Sequence, residues 1–179
     1  PTNMLDTLIT SKTRLKLLLR FFLNSRSSSY LRNLENEFGE STNSIRLELN
    51  RFEEAGLLTA DLQGNRKVYR ANTAHPLFPD IHSLIKKYVG FDQLIDKILN
   101  NLGSVHQVYV TGNLAHGIDS SDINLLILAD SIDITYLDHL ITKTQKLIKR
   151  NIHYQLEPPS SDANIQKSYP EALLIWGKA

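Results

Sequence analysis

One segment limits what this chain can become. Residues 108–129 read VYVTGNLAHGIDSSDINLLILA. An apolar strand runs into a glycine turn at 112–117, then a polar elbow at 118–122, then a second strand at 123–129 that is apolar almost throughout. A strand with no polar face is buried on both sides, so it lies inside a sheet and not at its edge. The glycines free the backbone where it turns tightly or comes close to a ligand. Asp122 stands where the elbow meets the second strand.

Residues two apart on a strand point to one face, so Asp122 and Asn124 share a face. With the glycine turn ahead of them, these residues resemble the signature of minimal nucleotidyltransferases, a Gly-Ser turn followed by Ser-Asp-x-Asp. Gly112, Ala115, Gly117, Ser121 and Asp122 match, and three positions depart. Asn113 replaces the serine that helps hold the triphosphate, His116 replaces the usual arginine, and Asn124 replaces the second metal-binding aspartate. The resemblance implies nucleotide binding by Gly112, Asn113, Gly117 and Ser121. It also implies Mg2+ at Asp122 and Asn124, with Asp119 or Asn124 assisting, and a nucleoside triphosphate. Two carboxylates on one face share magnesium, whereas an asparagine offers a single neutral oxygen. The expectation is a nucleotidyltransferase shape with weak or absent catalysis, a pseudoenzyme with no firm catalytic residue. Without those matches the stretch is an ordinary β-hairpin with a helix-free turn.

The 179 residues suit one large domain or two small ones, and 41% apolar with 22% charged residues is a globular composition. No apolar run reaches the length of a membrane span and no signal-peptide pattern opens the chain, which points to a cytoplasmic protein without a membrane partner. With 0 cysteines, disulfides and thiolate chemistry are excluded. Residues 1–90 hold 13 Lys+Arg against 9 Asp+Glu, and residues 91–179 hold 7 against 10. A basic front and an acidic back point to separate tasks, with a polyanion as candidate partner of the front.

The front reads as three helices and a hairpin. Ser11 caps a helix running to residue 23, with Leu15, Leu18, Leu19 and Phe22 as its stripe. A serine-rich loop at 24–29 precedes a short helix at 30–38, stopped by Gly39. Ser41 caps a third helix to about residue 55, with Ile45, Leu49 and Phe52 inward and Thr42, Asn43, Ser44, Arg46 and Asn50 outward. Strands at 57–61 and 66–71 flank a turn at 63–65. A helix fits the major groove. Arg46 suits guanine, and Asn43 or Asn50 suits adenine. Arg66, Lys67 and Arg70 on the hairpin suit phosphate or the minor groove. Lys12, Arg14, Arg26 and Arg32 are further candidates for backbone contacts.

This order, with GESTNSIR at 39–46 and EEAGLL at 53–58, resembles bacterial winged-helix regulators of the ArsR and MarR type. GNRKVYR at 64–70 and NTAHPLF at 72–78 resemble a subgroup in which the winged helix is fused to a nucleotidyltransferase-like domain. The resemblance implies a transcriptional regulator that binds double-stranded DNA, reads paired half-sites as a homodimer, and carries a rear domain for dimerisation, ligand sensing or partner binding.

Behind the hairpin, Pro76 and Pro79 open a helix at 82–89 with Ile81, Leu84, Ile85 and Tyr88 as its stripe, and Gly90 marks the junction. A fifth helix covers 91–102 and a long one 135–150, whose Lys143, Lys146, Lys149 and Arg150 suit the helix C-terminus or a nucleotide phosphate. A strand at 151–156 shows no acid before Glu157, where catalytic relatives supply a third carboxylate. Residues 162–167 make a helical turn, and 173–176 a strand or a tail packed into the core. The expected fold is therefore α+β in two domains. Residues 1–90 form a winged helix-turn-helix, and residues 91–179 a small nucleotidyltransferase-like α/β domain with a mixed sheet.

Overall fold

The computed structural model describes residues 4–177. The chain is α+β, and its contacts divide it into two compact units, Pro1–Ile85 and Lys86–Ala179. That division falls inside a helix, five residues ahead of Gly90.

In the front unit, α1 (Met4–Leu8) leads into α2 (Lys12–Phe22), whose N-cap Ser11 accepts from the Arg14 amide at 3.2 Å. The second half of α2 is buried on nearly every side, so Leu17 and Phe21 join the expected stripe, while Leu15 stays half-buried. β1 (Ser28–Tyr30) follows, then α3 (Leu31–Phe38), α4 (Thr42–Glu54), β2 (Leu58–Gln63) and β3 (Arg66–Ala71). β1 and β2 both pair antiparallel with β3, giving the order β1-β3-β2. The serines of β1, expected as loop, are drawn into the sheet by register with Val68, Tyr69 and Arg70.

On α4, Ile45, Leu49 and Phe52 are buried as expected, and so is Glu48. Its carboxylate takes Arg14 Nε at 2.8 Å and Arg51 Nη1 at 2.9 Å. Arg14 thus ties α2 to α4. Hydrogen bonding from Arg14, then the charges of Arg14 and Arg51, hold the Glu48 carboxyl below the usual glutamate value despite its burial. A folded pKa below the unfolded one stabilises above about pH 4.5. That contribution fades as pH falls through the lower folded value. Arg14→Ala should cost about 1–2 kcal/mol near neutrality, between the values for exposed and buried pairs because Arg14 is part-exposed. The difference between wild type and variant should shrink on acidification below pH 4. Urea unfolding at pH 7 and pH 3.5 checks this, and a difference independent of pH would sink it.

α5 (Phe78–Val89) starts earlier than expected, with Pro79 tolerated in its first turn. Leu84, expected in its stripe, is 38% exposed. His82 donates Nδ1–H to the Phe22 carbonyl at 2.6 Å and stacks on Phe78, a structural role.

The rear unit continues with α6 (Phe91–Lys97), which tightens into a 3-10 turn, Leu99–Asn101, where a single longer helix was expected. Then come β4 (Val105–Thr111), a 3-10 turn Asn113–His116, β5 (Asp122–Ala129), α7 (Ile134–Ile148), β6 (Asn151–Glu157), α8 (Asp162–Ser168) and β7 (Leu173–Gly177). The sheet order is β6-β5-β4-β7, with β5–β6 parallel and the other pairs antiparallel, so the sheet is mixed. The apolar strand β5 is central, with Ile123 and Leu125 to Leu128 buried. Asp133 caps α7, accepting from the Tyr136 amide at 3.0 Å. Lys149, in the left-handed conformation, ends the helix. Leu147, expected against the sheet, is 55% exposed. Under one face of the sheet, Tyr109, Leu126, Leu128, Ile165 and Ala172 form one buried cluster. The Tyr109 hydroxyl donates to Asp162 at the start of α8, pinning that helix to β4.

Candidate nucleic-acid groove and glycine-turn site

The front unit carries an open groove of about 770 Å3 between the outer side of α4, the start of α3 and the hairpin. Thr42, Arg46 and Asn50 line one wall, spaced four residues apart and so stacked on one helix face. Arg66, Lys67, Asn65 and Tyr69 come from the hairpin, and Tyr30, Leu31, Arg32 and Glu35 from β1 and α3. Four cations against one carboxylate make the groove positive.

The cations are not equivalent. Among the described residues the side chains of Arg32, Arg46 and Asn50 have no hydrogen-bond or ion-pair partner. Arg66 lies over the Tyr30 ring, 4.8 Å from its centroid, which holds the guanidinium in place without neutralising it. Lys67 is bound to Glu53 at 2.6 Å, and that bond raises its pKa, keeping it charged but occupied. Arg70 sits 3.8 Å from Asp61, outside the groove lining. Asn43 and Ser44 are exposed but do not line the groove either, and the Ser44 hydroxyl lies 3.4 Å from that of Thr13 on α2.

In the rear unit the glycine turn has the two left-handed positions that glycine favours, Gly112 at φ 72° and Gly117 at φ 73°. A Cβ on Gly112 would stand 3.1 Å from the Asn124 amide nitrogen, so Asn124 packs against the turn. The amides of Ala115, His116, Gly117 and Ile118 already bond to carbonyls within the turn, at 3.0–3.4 Å, and are not offered to a phosphate. His116 binds the Gly112 carbonyl through Nδ1 at 3.1 Å.

Asp122 is part-exposed and heavily bonded. It accepts from Ser121 Oγ and Asn151 Nδ2, each at 2.9 Å, and from His153 Nε2 at 3.2 Å. Those three bonds, Asn151 first, hold its carboxyl below the usual aspartate value. His153 reaches it because β5 and β6 run parallel in a register that sets Asn124 beside His153. Sequence reading did not name His153 as a site residue; only the register between β5 and β6 brings it to Asp122. Asp119, expected to assist a metal, is instead bound to Arg150 at 2.8 Å and to the Tyr88 hydroxyl at 3.2 Å. Arg150 also donates to the Ser120 carbonyl, so it braces the elbow instead of awaiting a phosphate.

The polar side chains gathered around Asp122 and the turn are thus one carboxylate, two amides (Asn124 and Asn151) and one imidazole, beside the Ser121 hydroxyl. Mg2+ favours several oxygen donors, carboxylates above all, in a near-octahedral shell. The residues present do not fit a paired magnesium site. Among the described residues no group of three or more His, Asp or Glu is arranged to hold a metal ion. No helix there is long and apolar enough to cross a membrane.

No protein-family model matches the chain, and no curated protein matches it. Solved structures similar to it include a toxin–antitoxin complex with AMP-PNP, at 17% identity and TM-score 0.40, covering 50% of this chain and 74% of that one. Another is the toxin–antitoxin MntA-HepT, at 19% identity and TM-score 0.37, covering 49% and 70%. A third is a tri-AMPylated HEPN toxin of Shewanella oneidensis in complex with an MNT antitoxin, at 18% identity and TM-score 0.37, also covering 49% and 70%. Likeness at this level decides neither fold nor activity.

Proposed function

We propose that the chain is a DNA-binding transcriptional regulator whose rear unit is a nucleotidyltransferase-shaped module without the donors for paired magnesium. The observation that carries this reading is the groove lined by Arg46 and Asn50 of α4, whose side chains have no partner among the described residues, together with Arg66 of the hairpin. Helix, strand, two helices and a hairpin in that order, with β1 paired to the hairpin, support the winged-helix assignment. In that arrangement α4 is the helix for the major groove, and the hairpin meets the flanking backbone. A homodimer would set two such helices on two half-sites. The rear module then serves pairing, sensing or a partner protein.

Fluorescence anisotropy with duplex DNA at 50–300 mM salt tests it. With Arg46 on a base, Arg32 and Arg66 neutralise about two phosphates per protomer, which predicts a log–log salt slope near −2 per protomer and not one that follows every basic residue of the front unit. Binding that ignores salt, or no binding at the lowest salt, would refute the reading.

A second reading, nucleotidyl transfer from a nucleoside triphosphate to an unidentified acceptor, has its own support. The turn carries two left-handed glycines, and Asp122 stands accessible at the head of β5. Transfer of labelled nucleotide that needs Mg2+ and disappears in Asp122→Ala would establish it.

A further inference from the structure

We propose that α7 presents a docking seam for an acidic amphipathic helix of a partner protein. Among the described residues of the rear unit, the large apolar side chains left exposed are Ile134, Tyr136 and Leu147, and all of them belong to α7. Leu137, Ile141 and Thr144 are buried and hold the helix to its own unit. A second, outward face remains. On it Tyr136, half-buried Leu140, Lys143 and Leu147 follow at intervals of four, three and four. That is the a/d spacing of a coiled-coil seam, and it sets the four side chains on one line. A lone exposed leucine calls for no explanation. Apolar residues in line along a helix are the form in which one helix receives another.

Lys143 decides what kind of helix. It stands inside the seam, between Leu140 and Leu147, so a docked helix would strip its ammonium of water. A desolvated cation needs a carboxylate opposite. Among the described residues Lys143 has no hydrogen-bond or ion-pair partner. A second copy of α7 does not supply one. Asp133 is spent on the Tyr136 amide at the helix cap and Asp138 on the Tyr154 hydroxyl, and α7 carries no other acid. His139 and Lys146, beside the seam, add base to base. A membrane surface fits poorly, because it would draw Lys143 into hydrocarbon together with the leucines on either side. What fits is a helix with apolar residues at its own seam positions and a glutamate or aspartate facing Lys143. The inference rests on the partner role proposed for the rear module and makes no use of DNA.

Two labelled peptides of about 21 residues, three heptads each, test it by anisotropy with the full chain and no DNA present. Both carry leucine at the seam positions and acidic flanks; one has glutamate and the other lysine at the central seam position. Wild type should bind the glutamate peptide at least tenfold more tightly than the lysine peptide. Lys143→Glu should reverse that order, and Leu147→Glu should weaken the glutamate peptide at least tenfold. Both substitutions fall at exposed positions, and their circular dichroism should match wild type. Duplex affinity of Lys143→Glu should stay within threefold of wild type, which separates a failure here from a failure of the DNA reading. Binding of neither peptide at about 100 μM, equal binding of both, or an order that Lys143→Glu leaves unchanged would overturn the proposal. So would vesicles with one-fifth phosphatidylserine binding where the peptides do not, or a dimer that Leu147→Glu dissolves and the glutamate peptide leaves intact.

Discussion

Arg46→Ala combined with Arg66→Ala is expected to weaken duplex binding about a hundredfold at physiological salt. A base contact by arginine in the major groove is worth about 1–3 kcal/mol, and losing a backbone contact lowers the salt slope by about one. Arg46 has no side-chain partner among the described residues to redirect, so its removal takes binding energy and nothing else. Arg66 is held by the Tyr30 ring, so it meets DNA already ordered. Lys67→Ala alone should cost threefold or less, because its ammonium already belongs to Glu53. Anisotropy titrations across salt measure all three. A fall below threefold for the double variant, or an equal fall for Lys143→Ala on α7, would place the DNA site elsewhere or remove it.

The second large effect is on stability. Leu126→Ala should lower the stability of the rear unit by about 3 kcal/mol or more, the cost of losing a buried leucine and leaving a cavity. Leu126 is 1% exposed, on a central strand, among Tyr109, Leu128, Ile165 and Ala172. Its neighbours are held by the sheet and by the Tyr109–Asp162 bond, so they cannot close on the gap. Leu147→Ala, at a 55% exposed site, should change stability by less than about 0.5 kcal/mol. Urea midpoints decide, and similar losses in the two variants would mean that β5 is not the centre of this core.

What the sequence showed of the fold follows from where the signal was physical. Five consecutive apolar residues at 125–129 can only be a strand buried on both faces, and β5 is one. Capping serines and aspartates work locally, and the starts of α2 and α4 were legible from Ser11 and Ser41. β1 was not, because its three residues are strand only by virtue of pairing with β3 some forty positions away. Glu48 left a trace that went unread. It lies three residues after Ile45 and one before Leu49, within the apolar stripe itself, and a charge there demands a buried partner. For the candidate sites, spacing identified Arg46, Asn50 and Asp122. It could not tell that Lys67 is claimed by Glu53, that Arg150 claims Asp119, or that Ser44 turns toward α2. Those distinctions depend on contacts between elements.

The pairing of β7 with β4 bears on the timing of folding. Val108 opposes Trp176, sixty-eight positions later, whereas the widest pairing of the front sheet, Ser28 with Arg70, closes at forty-two. During synthesis the front sheet is complete while the later sheet still waits for its last member, so β4 emerges with one rim bare. A ribosome paused in that interval would display a finished front unit and a sticky, unfinished rear one. Chaperone demand should therefore concentrate on the interval between the synthesis of β4 and that of β7.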